Sequence, residues 1–296
     1  MTLNELKGEQ YHDHDMHGEI VLWDLRTKEV ELYHLRNAVI AAGIDDSCVR
    51  DLRPITAFKR AIAEYKRDHA IDKVRKQGSI YTFQFTKKEL ESAQMHYNYE
   101  TVVRIDSEKG IISCVDNAIQ LHASSRFSHC LTYRTTSDIT TMIKRLYDEN
   151  ADLFPLIQDK GVAYFVPTLH RDFNDRIEQL LHAVGGHLIR FPVPKGNAKG
   201  NSNVRKVIES GLDNVLDDLR VVAHSFSTST HESTMVKLME KWHSANYKVD
   251  AYADYLGETK KRLVEKADEI KKELTKKILE VQDAKAAKGK HATTTT

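Results

Sequence analysis

"ETVVRIDSEKGIISCV", residues 100–115, decides the fold class. Two β-rich runs flank a short polar turn in which Gly110 is placed to take a positive φ, the pattern of an antiparallel hairpin. This half of the chain therefore carries sheet, and an all-helical protein is excluded.

Upstream of the hairpin, "SIYTFQF" (79–85) is rich in β-branched and aromatic residues and reads as a strand. It runs into "TKKE" (86–89), a Thr-x-x-Glu capping box that predicts a helix starting at Lys87. Earlier still, "EIVLWDL" (19–25) predicts a strand. "KEVELYHLRNAVIAAG" (28–43) then predicts a helix with Leu32, Leu35, Val39 and Ala42 on one face, stopped by Gly43. Pro54 sits well at a first helical position, and Ile55, Phe58, Ile62 and Tyr65 form the stripe of a second helix.

Downstream, "TSDITTMIKRLYDEN" (136–150) predicts a helix capped by Thr136 or Ser137, with Ile139, Met142, Ile143, Leu146 and Tyr147 inward. "LFPLIQ" and "VAYFVP" read as strands across the turn "DKG". "HRDFNDRIEQLLHAVGG" (170–186) follows as a helix ending at Gly185, and "HLIRFPV" (187–193) as a strand. From Ser202 the pattern is almost wholly helical. Val204, Val207, Ile208, Leu212, Val215, Leu216 and Leu219 mark one helix, "STSTHES" breaks it, and Ser229 with Glu232 offers a second capping box. The last helix is predicted over about 234–287. Trp242, Val249, Leu256, Leu263 and Ile270 recur every seven residues, and Ala253, Ala267, Leu274 and Val281 fill alternate seam positions. That is the period of a coiled coil.

The expected class is α+β: a mixed or antiparallel sheet body with flanking helices and a long C-terminal amphipathic helix. The regions read as a polar, His-rich arm (1–18), an α/β region with the hairpin (19–130), a helix–hairpin–helix–strand–helix region (131–228), the C-terminal helix (229–287) and a disordered tail (288–296).

The 44 Lys and Arg against 43 Asp and Glu leave a net charge of +1, so no global field drives the chain to nucleic acid or to an anionic membrane. Any such binding has to be local. Cys48, Cys114 and Cys130 are odd in number and irregular in spacing, which excludes a disulfide framework and suits a reducing compartment such as the cytoplasm. The first twenty residues are too polar for a signal peptide, and no stretch approaches the roughly 18 apolar residues of a spanning helix, so no membrane partner is expected.

Catalytic signatures are missing from the sequence. There is no Gly-x-Ser-x-Gly, His-Glu-x-x-His or Cys-x-x-Cys, and no Gly-x-Gly-x-x-Gly after a strand. "HRDFND" (170–175) shares three letters with a kinase catalytic loop but leads straight into a helix, where its acids oppose the dipole. No catalytic residue and no cofactor are expected. "YHDHDMH" (11–17) is the one metal candidate: His12 and His14 would project from the same face of a strand, with His17 as a third ligand. It also reads as a polar arm. His122, His129 and Cys130 in "LHASSRFSHC" (121–130) read as core or edge residues of a β-rich region.

Two basic stretches invite an anion. "PVPKGNAKGNSNVRK" (192–206) lies between a predicted strand and a predicted helix, and supplies Lys195, Lys199, Arg205 and Lys206 without an acidic residue. Its glycines are too close for a P-loop, and Asn201 stands where the lysine should be. Residues 49–78 hold nine Lys or Arg against four Asp or Glu, with Lys59, Arg60, Lys66 and Arg67 as candidate phosphate contacts, while Phe58 and Tyr65 fall on the apolar stripe.

The leading functional expectation is a non-enzymatic assembly or adaptor protein. It would self-associate, or dock a helical partner protein, through the seam Leu256, Leu263, Ala267, Ile270, Leu274 and Val281. A nucleic-acid-binding protein using the two basic stretches is the alternative, and a metal-dependent enzyme built on the histidine arm is the third.

Overall fold

The computed structural model describes residues 16–91, 94–157, 162–196, 198–227 and 229–292. The architecture is the expected α+β class, with antiparallel sheets and a long C-terminal helix. Two compact units are interleaved in sequence. A meander unit comprises Trp23–Asn150 and Phe173–Leu188, and a bundle unit takes the residues up to Leu22, Ala151–Asp172 and Ile189 onward. No helix among the described residues is long and apolar enough to cross a membrane.

The meander unit is built on four consecutive antiparallel strands in the order β3 (His69–Gln77), β4 (Ile80–Glu91), β5 (Gln94–Asp106) and β6 (Ile111–Cys114). The decisive hairpin is β5–β6, and Gly110 takes the turn at φ 67°. One face of this sheet is covered. Phe83, Phe85, Val103, Ile105 and Ile112 pack on Ala57, Phe58 and Ala61 of α2 (Pro54–Ala61), on Ile62 just after it, and on Ile119, Ala123 and Phe127 of α3 (Asn117–Thr132). Fully burying side chains of this size is worth roughly 1.5–3 kcal/mol each.

The other elements of the unit are β2 (Glu29–Glu31), paired antiparallel with β7 (Tyr133–Thr135), and the helices α1 (Leu32–Ala41), α4 (Thr136–Asn150) and α5 (Arg171–Ala183). Tyr147 of α4 is fully buried; its hydroxyl donates to Asn174 Oδ1 of α5 at 2.8 Å, and its ring stacks on Trp23. Two local expectations are corrected here. No helix starts at Lys87, because Thr86–Glu89 continue β4 opposite Tyr99–His96, and pairing along a long hairpin overrides a local cap. The segment holding His122, His129 and Cys130 is helix α3, opened by Asp116, whose carboxylate accepts from the N–H groups of Ala118 and Ile119. Its weak apolar periodicity hid it.

The bundle unit contains β1 (Met16–Leu25, of which residues to Leu22 belong here), β8 (Phe154–Pro155), β9 (Tyr164–Pro167) and β10 (Gly186–Pro194, of which residues from Ile189 belong here), in the order β10–β1–β9–β8. The turn expected at "DKG" lies outside the described residues. Arg190 of β10 holds Glu19 of β1 through two bonds of 2.8 and 3.0 Å. The sheet of the middle region and the sheet of the hairpin are thus separate.

The helices α6 (Ala198–His224), α7 (Glu232–Ala251), the short α8 (Ala253–Leu256) and α9 (Thr259–Ala292) complete the unit. The single helix expected over 234–287 is broken between Tyr252 and Gly257, where Gly257 takes φ 56°, a left-handed conformation that costs a residue with a Cβ strain. The break lets α9 fold back along α7. Contacts fix the directions. Asp250 meets Lys260, Trp242 meets Ala267 and Thr230 meets Lys285, so α7 and α9 run antiparallel. Glu209 and Asp213 meet Arg262, Asp213 and Asp217 meet Lys266, and Arg220 meets Glu269 and Glu273, so α6 and α9 run parallel. The capping box expected from Ser229 is not formed: His231 is the cap residue, and Ser229 Oγ lies 2.8 Å from Ser227 Oγ instead.

Candidate anion-binding cleft

A cleft of the meander unit gathers several arginines. A 3-10 turn, Asp46–Cys48, is opened by Asp45, whose carboxylate accepts from Ser47 N at 2.7 Å. It delivers the segment Val49–Arg53, and Pro54 holds Arg53 extended (φ −62°, ψ 138°) before α2 begins. Opposite stand Arg134 of β7 and one face of α4. Together Leu35, Cys48–Arg53, Thr56, Arg60, Arg134, Ser137, Asp138, Thr141, Met142 and Arg145 enclose about 370 Å³.

Five arginines line this space against two aspartates. Arg60 grips Asp138 through both oxygens, at 2.8 and 2.7 Å. Asp138 also accepts from Thr135 N and Oγ1 at 3.0 and 2.9 Å, so it caps α4 at the same time. Burial alone would raise the Asp138 pKa, but the hydrogen bonds from Arg60 and Thr135 outweigh it and hold the carboxyl below its usual range. Asp51 is engaged by Arg36 at 3.0 Å. Both acids are therefore committed; Arg134 lies 4.0 Å from Asp51 and Arg145 3.7 Å from Glu149, so among the described residues the surplus rests on Arg50 and Arg53.

Arg134 forms the fixed part of the wall. Only 4% of it is exposed; Nη1 donates to the carbonyls of Cys130, Leu131 and Tyr133 at the end of α3, and Nη2 to Arg50 O at 3.4 Å. Its Nε meets no acceptor among the described residues. Burial pulls the Arg134 pKa down, which is the signature of a cation set in a poorly solvated place. Arg145 donates to Cys48 O and ties the 3-10 turn to α4. Arg50 and Arg53, by contrast, are exposed. Burial pushes the Cys48 thiol up, away from the thiolate a nucleophile needs.

Guanidinium groups in excess, one of them buried, offer planar pairs of donors to a phosphate or carboxylate. Residues 16–287 match the family model described as a family of unknown function (DUF6744). The chain belongs to that family. The matched span takes in the cleft and most of both units. No curated protein and no solved structure matches the chain.

Of the candidate phosphate contacts in residues 49–78, only Arg60 lines the cleft. Lys59 is exposed on α2, and Lys66 and Arg67 are exposed on the 3-10 turn Ala63–Arg67. Arg50, Arg53, Arg134 and Arg145 were missed as site residues. Arg50 and Arg53 lay inside the basic stretch, but no signal in the sequence brings Arg134 and Arg145 to them.

The second basic stretch is not the loop it resembles. Strand β10 reaches Pro194 and α6 begins at Ala198, so Lys199, Arg205 and Lys206 are helical residues and only Lys195 and Gly196 remain as described connection. Arg205 Nε donates to Tyr255 O at 3.3 Å, which turns this cation toward its own bundle.

The six seam residues are buried: Leu256, Leu263, Ala267, Ile270 and Leu274 have no exposure, and Val281 has 5%. The first five share one core with residues of α6 and α7. The stripe is buried, and the helices that cover it lie in the same chain. His12 and His14 fall outside the described residues. His17 sits on β1 with Nε2 2.7 Å from Asn201 Oδ1 and its ring against Tyr255. Among the described residues, no group of three His, Cys, Asp or Glu is placed to hold a metal.

One polar cluster in the bundle unit had no sequence signal beyond the helical spacing of Lys248 and Tyr252. Asp152 accepts from Lys248 on Oδ1 and from Tyr252 on Oδ2, and His170 Nε2 lies 3.4 Å from Oδ2 and 3.0 Å from the Tyr252 hydroxyl. Burial would raise the Asp152 pKa, but the bonds from His170, Lys248 and Tyr252 outweigh it and lower it. Burial and the adjacent carboxylate push Tyr252 far up, so it stays a donor. Asp152 is 8% and Tyr252 1% exposed, and both carboxylate oxygens are used. The cluster is a closed staple that fixes the α7–α8 corner.

Proposed function

We propose that the meander unit binds a phosphate-bearing anion of nucleotide size in the arginine cleft. The observation that carries the reading is the excess of arginines over acids in one cleft: five arginines face two aspartates that are already engaged, and with Arg145 paired to Glu149 the excess rests on Arg50 and Arg53. Its volume of about 370 Å³ falls in the range of small-ligand sites, roughly 300–1,000 Å³. Arg134 and Arg60 give a rigid floor, while Arg50 and Arg53 are free to close on a ligand without giving up an ion pair that holds the fold. This reading narrows the nucleic-acid alternative from a basic helical face to a defined pocket. An assembly role through the C-terminal seam is the weaker reading, because α6 and α7 already fill that seam.

The test is thermal unfolding of the full chain with pyrophosphate or a nucleoside triphosphate, against chloride at equal ionic strength. A ligand at 100 times its dissociation constant stabilises by about 2.7 kcal/mol, a shift of several degrees. The shift is expected in the native chain and absent from the Arg50→Ala/Arg53→Ala double variant. An equal shift in both, or none in either, rejects the cleft as the site.

A further inference from the structure

The four-stranded sheet of the meander unit is covered on one face only, and a register change decides what its other face carries. Along β5, Thr101, Val103 and Ile105 are buried beneath α2 and α3. Strict alternation would send Tyr99 and Tyr97 to that same buried face. They do not go there. Phe85 pairs with Thr101 while Thr86 pairs with Tyr99, so Glu100 is an extra residue in β5. One inserted residue turns every side chain beyond it to the opposite face. Tyr97 and Tyr99 consequently stand opposite Lys88 and Thr86 on the uncovered side, 60% and 64% exposed. Glu100 itself is engaged by His69.

A second irregularity does the same on β3. Lys73 pairs with Phe83 and Arg75 with Thr82, so Val74 is the extra residue and Arg75 joins the open face. Arg104 pairs with Thr82 from the other side. The open face thus carries Tyr97 and Tyr99 about 7 Å apart along one strand, followed by Arg104 and Arg75, with Lys88, whose amine donates to Lys66 O at 3.1 Å, beside Tyr97. The residues between them, Ala70, Thr86, Gln84, Thr82 and Val102, are uncharged, and the rings stay exposed. The acids on this face are Asp72 and Asp106, and the latter is committed to the N–H groups of Glu108 and Lys109.

We propose that this face binds single-stranded nucleic acid, with successive bases stacked on Tyr97 and Tyr99 and the backbone running past Lys88, Arg104 and Arg75. Aromatic rings spaced along a strand with interleaved cations are what an unpaired strand needs: every base has a face to stack, and the phosphates need charge without a sequence-specific edge. A duplex hides its base faces and gains nothing from the tyrosines. The surface is separate from the arginine cleft, since none of its residues lines that space.

The test is fluorescence polarisation of the full chain with a labelled oligodeoxythymidine and an oligouridine of about 12 nucleotides, a length within the site sizes of single-strand binders. A duplex of equal length serves as comparator. At low salt the single strands are expected to bind and the duplex to bind more weakly. Tyr97→Ala and Tyr99→Ala should each weaken single-strand affinity about tenfold, Tyr97→Phe/Tyr99→Phe should retain it, and Arg50→Ala/Arg53→Ala should leave it unchanged. Absence of single-strand binding, preference for the duplex, or full affinity in a Tyr97→Ala/Tyr99→Ala variant overturns the proposal. Loss in the cleft variant with retention in the tyrosine variant also overturns it and assigns the contact to the cleft.

Discussion

In the bundle unit the carboxylate of Asp152 is met by Lys248, Tyr252 and His170 in a space from which solvent is nearly excluded, and opposite charges balance. In the meander unit the cleft gathers five arginines around two aspartates that already have partners. The first arrangement is complete without anything added. The second holds cations whose repulsion an anion would relieve. A charged cluster points to structure when its valences close and to a ligand when they do not, and the two units of this chain show one of each.

The largest expected effect follows from the closed cluster. Asp152→Ala leaves Lys248 and the Tyr252 hydroxyl without their acceptor, and loss of one partner of a buried pair costs about 3–5 kcal/mol. Chemical denaturation followed through Trp242, which lies in the same core, is expected to shift accordingly. A variant as stable as the native chain would show the cluster to be incidental. Next comes the seam. Leu263→Ala should cost about 3 kcal/mol and leave the molar mass in solution unchanged, measured by light scattering. A stable variant that has lost an oligomer would instead put the seam between copies.

Acidification separates the units less sharply. The folded-state pKa of Asp152 is depressed, so its contribution is present above the unfolded value near 3.8 and is lost as pH falls through the folded one. Asp213, held down by Arg262 and Lys266 against the effect of burial, behaves the same way. The bundle unit is therefore expected to weaken below about pH 4, and Asp152→Ala should flatten that acid limb in a pH series of unfolding midpoints. An unchanged limb would remove Asp152 from the account. The smallest effect belongs to the open cluster: Arg50→Ala and Arg53→Ala should each alter stability by less than about 0.5 kcal/mol, since no ion pair among the described residues rests on them. A large loss would make the cleft a structural feature like the staple.

Much of this was legible in the chain. Gly110 between β-rich runs gave the hairpin, and the stripes on α1, α2, α4 and α5 gave the helices, because local period and turn chemistry are written in adjacent residues. What escaped was set by distant partners. The Thr86–Glu89 signature signals a cap, yet the strand pairing of Thr86 with Tyr99 wins. The seven-residue seam is continuous in sequence, yet Gly257 folds it back on α7. Helix α3 has almost no apolar stripe to show. Of the cleft, the sequence singled out only Arg60; Arg50 and Arg53 lay unmarked in the same basic stretch, and Arg134 and Arg145 come from β7 and α4, where only the fold brings them together. The extra residue Glu100 is invisible until the register is known.

The central claim is that the arginine cleft holds a phosphate-bearing anion. Isothermal titration of the full chain with pyrophosphate at low and at moderate salt, beside the Arg50→Ala/Arg53→Ala variant, tests it most directly. One binding event is expected in the native chain, weakened by salt and lost in the double variant. Titration without a binding event, or the same affinity in both proteins, would contradict it.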